Sequence, residues 1–121
     1  MAQTQTLICR SEDVQERGRG FRFQVPAPGG EAPAFVVRFG GAVHAYVNRC
    51  AHARVELDWN HGEFFDFSGL YLVCATHGAI YRPESGVCVG GPCRGQRLAK
   101  LDVAERDGSI YLLNEKESGN G

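Results

Sequence analysis

Short β-rich runs alternate with Gly, Pro, Asn or Asp along most of this sequence, and that alternation most constrains its fold. Sixteen glycines and five prolines are spread along 121 residues. Between them lie short runs rich in Val, Ile, Phe, Tyr and Leu, the pattern of strands bounded by turns. The runs that read as strands are 5–9, 20–25, 34–39, 42–48, 64–67, 70–73, 79–81, 97–104 and 109–113. Phe39-Gly40-Gly41-Ala42 predicts a tight hairpin, because glycine accepts the positive φ such turns need. Arg106-Asp107-Gly108 predicts another. Residues 11–16 give the one helical hint, a single turn with Ser11 as N-cap. Residues 26–33 read as a Pro/Gly-rich surface loop, and 115–121 as a polar frayed tail. Short strands without helices imply an antiparallel all-β domain. With no repeat and no second domain visible, one domain is expected over residues 1–121.

Composition narrows the function classes. Lys plus Arg is 13 and Asp plus Glu is 14, a net charge of −1, so no concentrated basic footprint for nucleic acid is expected. No run of about 18 apolar residues suggests a membrane span. The first residues lack a basic region followed by an apolar one, so no secretory signal is expected. Cysteine usage adds to this. Five cysteines, an odd number, point to a reducing compartment, and a cytoplasmic location is expected.

Two segments carry chemistry: Asn48-Arg-Cys-Ala-His52 and Val73-Cys-Ala-Thr-His-Gly78. Each offers one thiolate and one imidazole from a short loop that follows a predicted strand. Cys50, His52, Cys74 and His77 would then meet at one end of a sheet. Four such ligands suit iron or zinc. A zinc site of this composition usually groups its cysteines together and its histidines together. Mixed loops fit better an asymmetric cluster in which two His replace two Cys on one of two irons.

With those motifs in view, the chain resembles Rieske-type ferredoxins, such as those that feed ring-hydroxylating oxygenases. The resemblance runs from about Leu7 to Leu113. It rests on Cys50-Ala-His52, Cys74-Ala-Thr-His-Gly78 and Ser85-Gly-Val-Cys-Val-Gly-Gly-Pro92-Cys93. It implies three stacked antiparallel sheets with a small cluster-binding subdomain over about 43–92. It also implies a [2Fe–2S] cluster held by Cys50 and Cys74 on one iron and His52 and His77 on the other. Pro92 would lie in a loop that covers the cluster. The function implied is one-electron carriage from a flavin-dependent reductase to a terminal oxygenase or similar acceptor. The alternative is an accessory subunit or redox-sensing module of a larger enzyme, such as the Rieske-like component of a nitrite reductase. No catalytic base, nucleophile or second iron site is visible, so the chain is expected to be a carrier rather than an enzyme.

Departures from the family bear on the cluster. Respiratory Rieske proteins brace theirs with a disulfide between the ligand loops. The matching positions here are Val55 and Thr76, so that brace is absent. Their serine donor two residues after the second histidine is Ala79 here, while their tyrosine donor is retained as Tyr81. Hydrogen bonds to cluster sulfurs raise the potential. One donor fewer predicts a potential in the lower half of the range of about −150 to +300 mV. Exposed histidine ligands further imply a potential that falls as pH rises through their pKa.

The segment between the ligand pairs, residues 53–73, is longer than usual for the family. Its Phe64, Phe65 and Phe67 are expected to pack inward, and Trp59 is a candidate docking anchor. Cys88 and Cys93 permit a disulfide, a metal pair or two buried thiols, and a reducing compartment favours thiols. Cys9 is expected to be buried in a strand. His44 is expected to be a half-exposed structural residue and His61 a solvated one. Arg94 is a basic candidate near a docking face.

Overall fold

The run at residues 32–37 has no alternation of polar and apolar positions, which marks a strand covered on both faces. In the computed structural model, which describes residues 4–27, 29–50, 55–58, 60–76 and 78–114, this run is the heart of the middle sheet. That sheet joins β2 (Phe21–Ala27), β3 (Gly30–Phe39), β4 (Ala42–Val47) and β8 (Lys100–Leu101), in that order. A second sheet orders β1 (Thr4–Arg10), β10 (Ser109–Asn114) and β9 (Val103–Arg106). A third orders β5 (Leu72–Val73), β6 (Ile80–Tyr81) and β7 (Cys88–Gly90). All the pairings are antiparallel.

β3 shows why the sheets stack. Ala32, Ala34 and Val36 face one way and pack with Ile110, Leu112 and Val103 of the β1–β10–β9 sheet. Phe35 and Val37 face the other way, with Tyr46, and pack with Leu72, Tyr81, Phe64 and Leu98. The middle sheet is therefore buried on both sides and the outer sheets on one. The expected three-layer antiparallel architecture is what is found. Arg38 links the layers at the edge, its guanidinium meeting Glu105 at 2.7 Å and donating to the Val14 carbonyl at 2.8 Å.

Both predicted glycine turns are present. Gly40 and Gly41 have φ of 66° and 83°, and Asp107 and Gly108 have 52° and 78°. Glu16 fastens the first, accepting from the Gly40 and Gly41 amides at 2.7 and 2.9 Å. Those bonds hold its carboxyl below the usual carboxylate range.

Several sequence expectations are corrected. Residues 26–33 are not a loop: β2 and β3 pair through Pro26↔Glu31 and Gln24↔Pro33. Pro26 sits on an edge strand, and Pro33 lies just past the last β3–β4 pair, Ala34↔Val47, where its carbonyl still accepts from the Asn48 amide at 2.8 Å. The 97–104 run is broken at Asp102, where the chain leaves β4 to join β10. The 64–67 run contributes one bridge, Phe65↔Leu72. Residues 88–90, outside the expected strands, form β7 and pair with β6. The helical turn is a short 3-10 helix, Ser11–Asp13, whose N-cap is Arg10 rather than Ser11. The 115–121 tail lies outside the described residues. Among those described, no helix is long and apolar enough to cross a membrane.

Candidate metal centre

Cys50 and Cys74 end two neighbouring stretches of chain and are buried in one cluster, 3% and 0% exposed. Backbone bonds close each loop. The Cys50 amide donates to the Val55 carbonyl at 2.7 Å. The Cys74 amide donates to Ala79 at 2.9 Å, and the Gly78 amide returns to the Cys74 carbonyl at 2.7 Å. The Ala75 amide donates to the Leu57 carbonyl at 3.0 Å, which ties the second loop to the chain leaving the first. His52 and His77 lie outside the described residues, as does Trp59.

A buried polar network fixes that outgoing chain. Asn48, 1% exposed, donates to Asp58 Oδ1 at 2.9 Å and accepts from the Leu57 amide at 2.8 Å. Asp58, 2% exposed, also accepts from the Gly62 amide at 2.9 Å. Arg22 Nε stands 3.0 Å from Asp58 Oδ2, an ion contact without hydrogen-bond alignment. No motif in the sequence signals this pair, because the two are ordinary polar side chains ten positions apart.

A third loop, residues 91–97, lies over the second. Gly91 (φ +90°) is where they meet: a Cβ there would stand 2.8 Å from Ala79 Cα and 3.1 Å from the Gly78 carbonyl oxygen. Pro92 is exposed on this loop, and Ala79 is fully buried beneath it. Contrary to the expectation of two thiols, Cys88 and Cys93 form a disulfide, with Cα atoms 6.0 Å apart. β7 and the turn after it bring the two residues to bridging distance, as Cys88 and Gln96 pair by backbone and Gln96 bonds back to Cys93. Compartment arguments carry no information about that local geometry.

Tyr81, fully buried on β6, joins these parts. Its hydroxyl is 3.3 Å from Cys50 Sγ and 3.4 Å from Cys93 Sγ. Tyr46 lies behind it in the same cluster and donates to the Pro83 carbonyl at 2.7 Å, and burial pushes its phenol well above the usual range.

Residues 64–73 form a hairpin folded onto this core. Phe64 stacks on Phe35 at 3.9 Å between centroids, and Phe65 is half-buried, 6.2 Å from Phe39. Phe67 departs from expectation: it is fully exposed. It stands at a tight tip where Asp66 Oδ1 accepts from the Ser68 and Gly69 amides, so its side chain projects outward. An open cleft of about 420 Å³, lined by Asn60, Glu63, Phe65, Val73 and Ala75, runs beside this hairpin. His61 is exposed, with Nδ1 3.3 Å from Arg22. His44 is half-buried, and burial followed by the nearby Lys100 charge lowers its pKa. Arg94 is exposed on the third loop. Cys9, on β1, is buried against Val36 and Ala45 of the middle sheet, where desolvation raises its thiol to about 11.

The donor chemistry suits an iron–sulfur centre. Two buried sulfurs on adjacent loops, one beside a buried hydroxyl, match what thiolate ligands of such a cluster require. The family model for the Rieske [2Fe–2S] domain matches residues 4–110. No curated protein sequence matches the chain. Among solved structures, the ferredoxin of carbazole 1,9a-dioxygenase from Nocardioides aromaticivorans IC177 is similar, with a TM-score of 0.68 and 22% identity. That alignment covers 90% of this chain and 96% of the other. A complex of reduced oxygenase and oxidised ferredoxin in carbazole 1,9a-dioxygenase gives a TM-score of 0.70 at 24% identity, covering 94% and 96%. The terminal oxygenase of carbazole 1,9a-dioxygenase from Novosphingobium sp. KA1 gives 0.70 at 25%, covering 89% of this chain and 29% of that one.

Proposed function

Because the chain belongs to the Rieske [2Fe–2S] domain family and carries that family's cluster, we propose that it is a one-electron carrier. In this reading it passes electrons from a flavin-dependent reductase to a terminal oxygenase. The placement of Cys50 and Cys74, buried together on two tied loops with a hydroxyl on one sulfur, is the observation that carries the reading. Cys50 and Cys74 hold one iron; His52 and His77, from the same two loops, hold the other. The unit that holds the cluster spans about 43–92, with the flanking strands as its base. When bound, the cluster takes up and gives back one electron at a time.

The chain's own groups set the conditions for that exchange. Tyr81 donates to the Cys50 sulfur, a bond that strengthens as negative charge builds there, and so favours the reduced state. Ala79 offers no hydroxyl, which keeps the potential in the lower part of the Rieske range. Gly91 lets the third loop lie directly on the second, so Pro92 and its neighbours limit water at the centre. The carbazole 1,9a-dioxygenase ferredoxins share this fold along nearly their whole length, which supports an oxygenase as acceptor.

A reconstituted chain tests the proposal. Mixed with an NADH-driven flavoprotein reductase and a ring-hydroxylating oxygenase, it is expected to restore product formation, and Cys74→Ser is expected to abolish it. Full turnover in the absence of the chain, or undiminished turnover with the serine variant, would contradict the role.

A further inference from the structure

We propose that the Cys88–Cys93 disulfide is a second redox centre, a thiol–disulfide pair whose state sets the potential of the cluster through Tyr81. The inference rests on the reading of Cys50 as a cluster ligand.

The geometry is a chain of three atoms. The Tyr81 hydroxyl is 3.3 Å from Cys50 Sγ on one side and 3.4 Å from Cys93 Sγ on the other. A disulfide sulfur carries no proton, so in the oxidised pair it can only accept. Two sulfurs then compete for the one hydroxyl proton, and the bond to Cys50 is weaker than the distance alone implies.

Reduction changes that balance. A dithiol of the class that reduces protein disulfides acts by its thiolate, which attacks Cys93 Sγ. The S–S bond breaks, and its electron pair passes to Cys88 Sγ, which takes up a proton. The second thiol of the reagent then displaces Cys93 from the mixed disulfide. Two electrons and two protons have entered the pair, and the dithiol leaves as a cyclic disulfide. Cys93 is the sulfur to be attacked because Pro92 and Arg94 on either side of it are exposed. Its own sulfur is buried, so the loop must open locally for attack.

The new Cys93 S–H is a donor where there was an acceptor. Pointed at the Tyr81 oxygen, it polarises the hydroxyl toward Cys50 and releases the proton wholly to that sulfur. The reduced cluster, richer in negative charge at sulfur, gains more from this than the oxidised one, so the midpoint rises. The pair therefore reports the thiol balance of its surroundings to the electron carrier.

The test uses the cluster-loaded protein, treated with excess dithiol, desalted without air, and compared with the untreated protein. Intact mass counts the added hydrogens, the visible and EPR spectra report the cluster, and a mediated titration gives the midpoint. Opening of the disulfide is expected to move the midpoint upward, and reoxidation to return it. Cys88→Ser, which leaves Cys93 a permanent thiol, is expected to show the raised midpoint without treatment and no response to dithiol. Tyr81→Phe is expected to lose the response while its mass still changes. An unchanged midpoint after a confirmed mass change overturns the proposal, as does an undiminished shift in the phenylalanine variant or a pair that is never disulfide-bonded. Should the serine variant fail to fold, the dithiol comparison on the native chain decides. Absence of any cluster spectrum overturns the ligand reading as well, whereas a normal spectrum with a fixed midpoint removes the coupling alone.

Discussion

The Tyr81 hydroxyl stands 3.3 Å from the Cys50 sulfur, both groups buried in one core cluster. A donor so placed acts on the electron affinity of whatever the sulfur binds. Tyr81→Phe removes the donor and keeps the ring. The midpoint is expected to fall by an amount on the order of 60 mV, the equivalent of one tenfold loss in preference for the reduced state. A mediated redox titration checks it; a midpoint that stays put would show that the hydroxyl does not feel the cluster's charge.

Two glycines of the third loop separate strain from clash. Gly91 and Gly95 have nearly equal φ, +90° and +93°, but a Cβ at Gly91 would meet Ala79 at 2.8 Å whereas nothing lies within 4 Å at Gly95. Alanine at either position carries the left-handed penalty of about 1–2 kcal/mol. Only Gly91→Ala also pushes the third loop off the second. Faster bleaching of the visible spectrum in Gly91→Ala than in Gly95→Ala is the expected outcome, and equal rates would contradict the contact.

Phenylalanines three residues apart have opposite fates. Phe64 is fully buried and stacked on Phe35, whereas Phe67 is fully exposed. Phe64→Ala is expected to cost about 3–5 kcal/mol. Phe67→Ala is expected to stay within about 0.5 kcal/mol of the parent chain. Chemical denaturation measures both.

Removing the Asn48 side chain leaves the Leu57 amide and one Asp58 oxygen without their partner in a buried setting. Each lost bond of this kind costs about 1–3 kcal/mol. Asn48→Ala should therefore lower the thermal midpoint markedly, and cluster loss on heating should accompany unfolding, because residues 55–58 carry the chain away from the Cys50 loop. An unaltered melting curve would contradict the network's role.

Cys9 gives a pH dependence at the alkaline end. Burial raises its thiol from 9.0 to about 11. A folded-state pKa above the unfolded one contributes stability that is complete below the unfolded value and is lost as pH rises through the folded value. Stability is thus expected to decline between about pH 9 and 11, and Cys9→Ala to flatten that decline. Denaturation midpoints across that window decide it.

Much of this was legible in the residues. The β-rich run 34–39 announces its strand, and Gly40-Gly41 and Asp107-Gly108 announce their turns, because backbone sterics act locally. What escaped depends on how particular turns fold back, which composition does not encode. Whether Cys88 and Cys93 bridge is decided by how β7 and its turn fold back, not by the number of cysteines. Phe67 reads like Phe64 in composition, and only the Asp66 turn, which places it at a tip, separates them. Of the four-ligand set, Cys50 and Cys74 are found together, while His52 and His77 lie outside the described residues.

The EPR spectrum of the dithionite-reduced protein tests the central claim most directly. Two irons, one held by Cys50 and Cys74 and the other by His52 and His77, predict a signal whose average g lies well below the free-electron value, as mixed nitrogen and sulfur ligation gives. A silent spectrum, or one with the higher average g of an all-cysteine cluster, would contradict it.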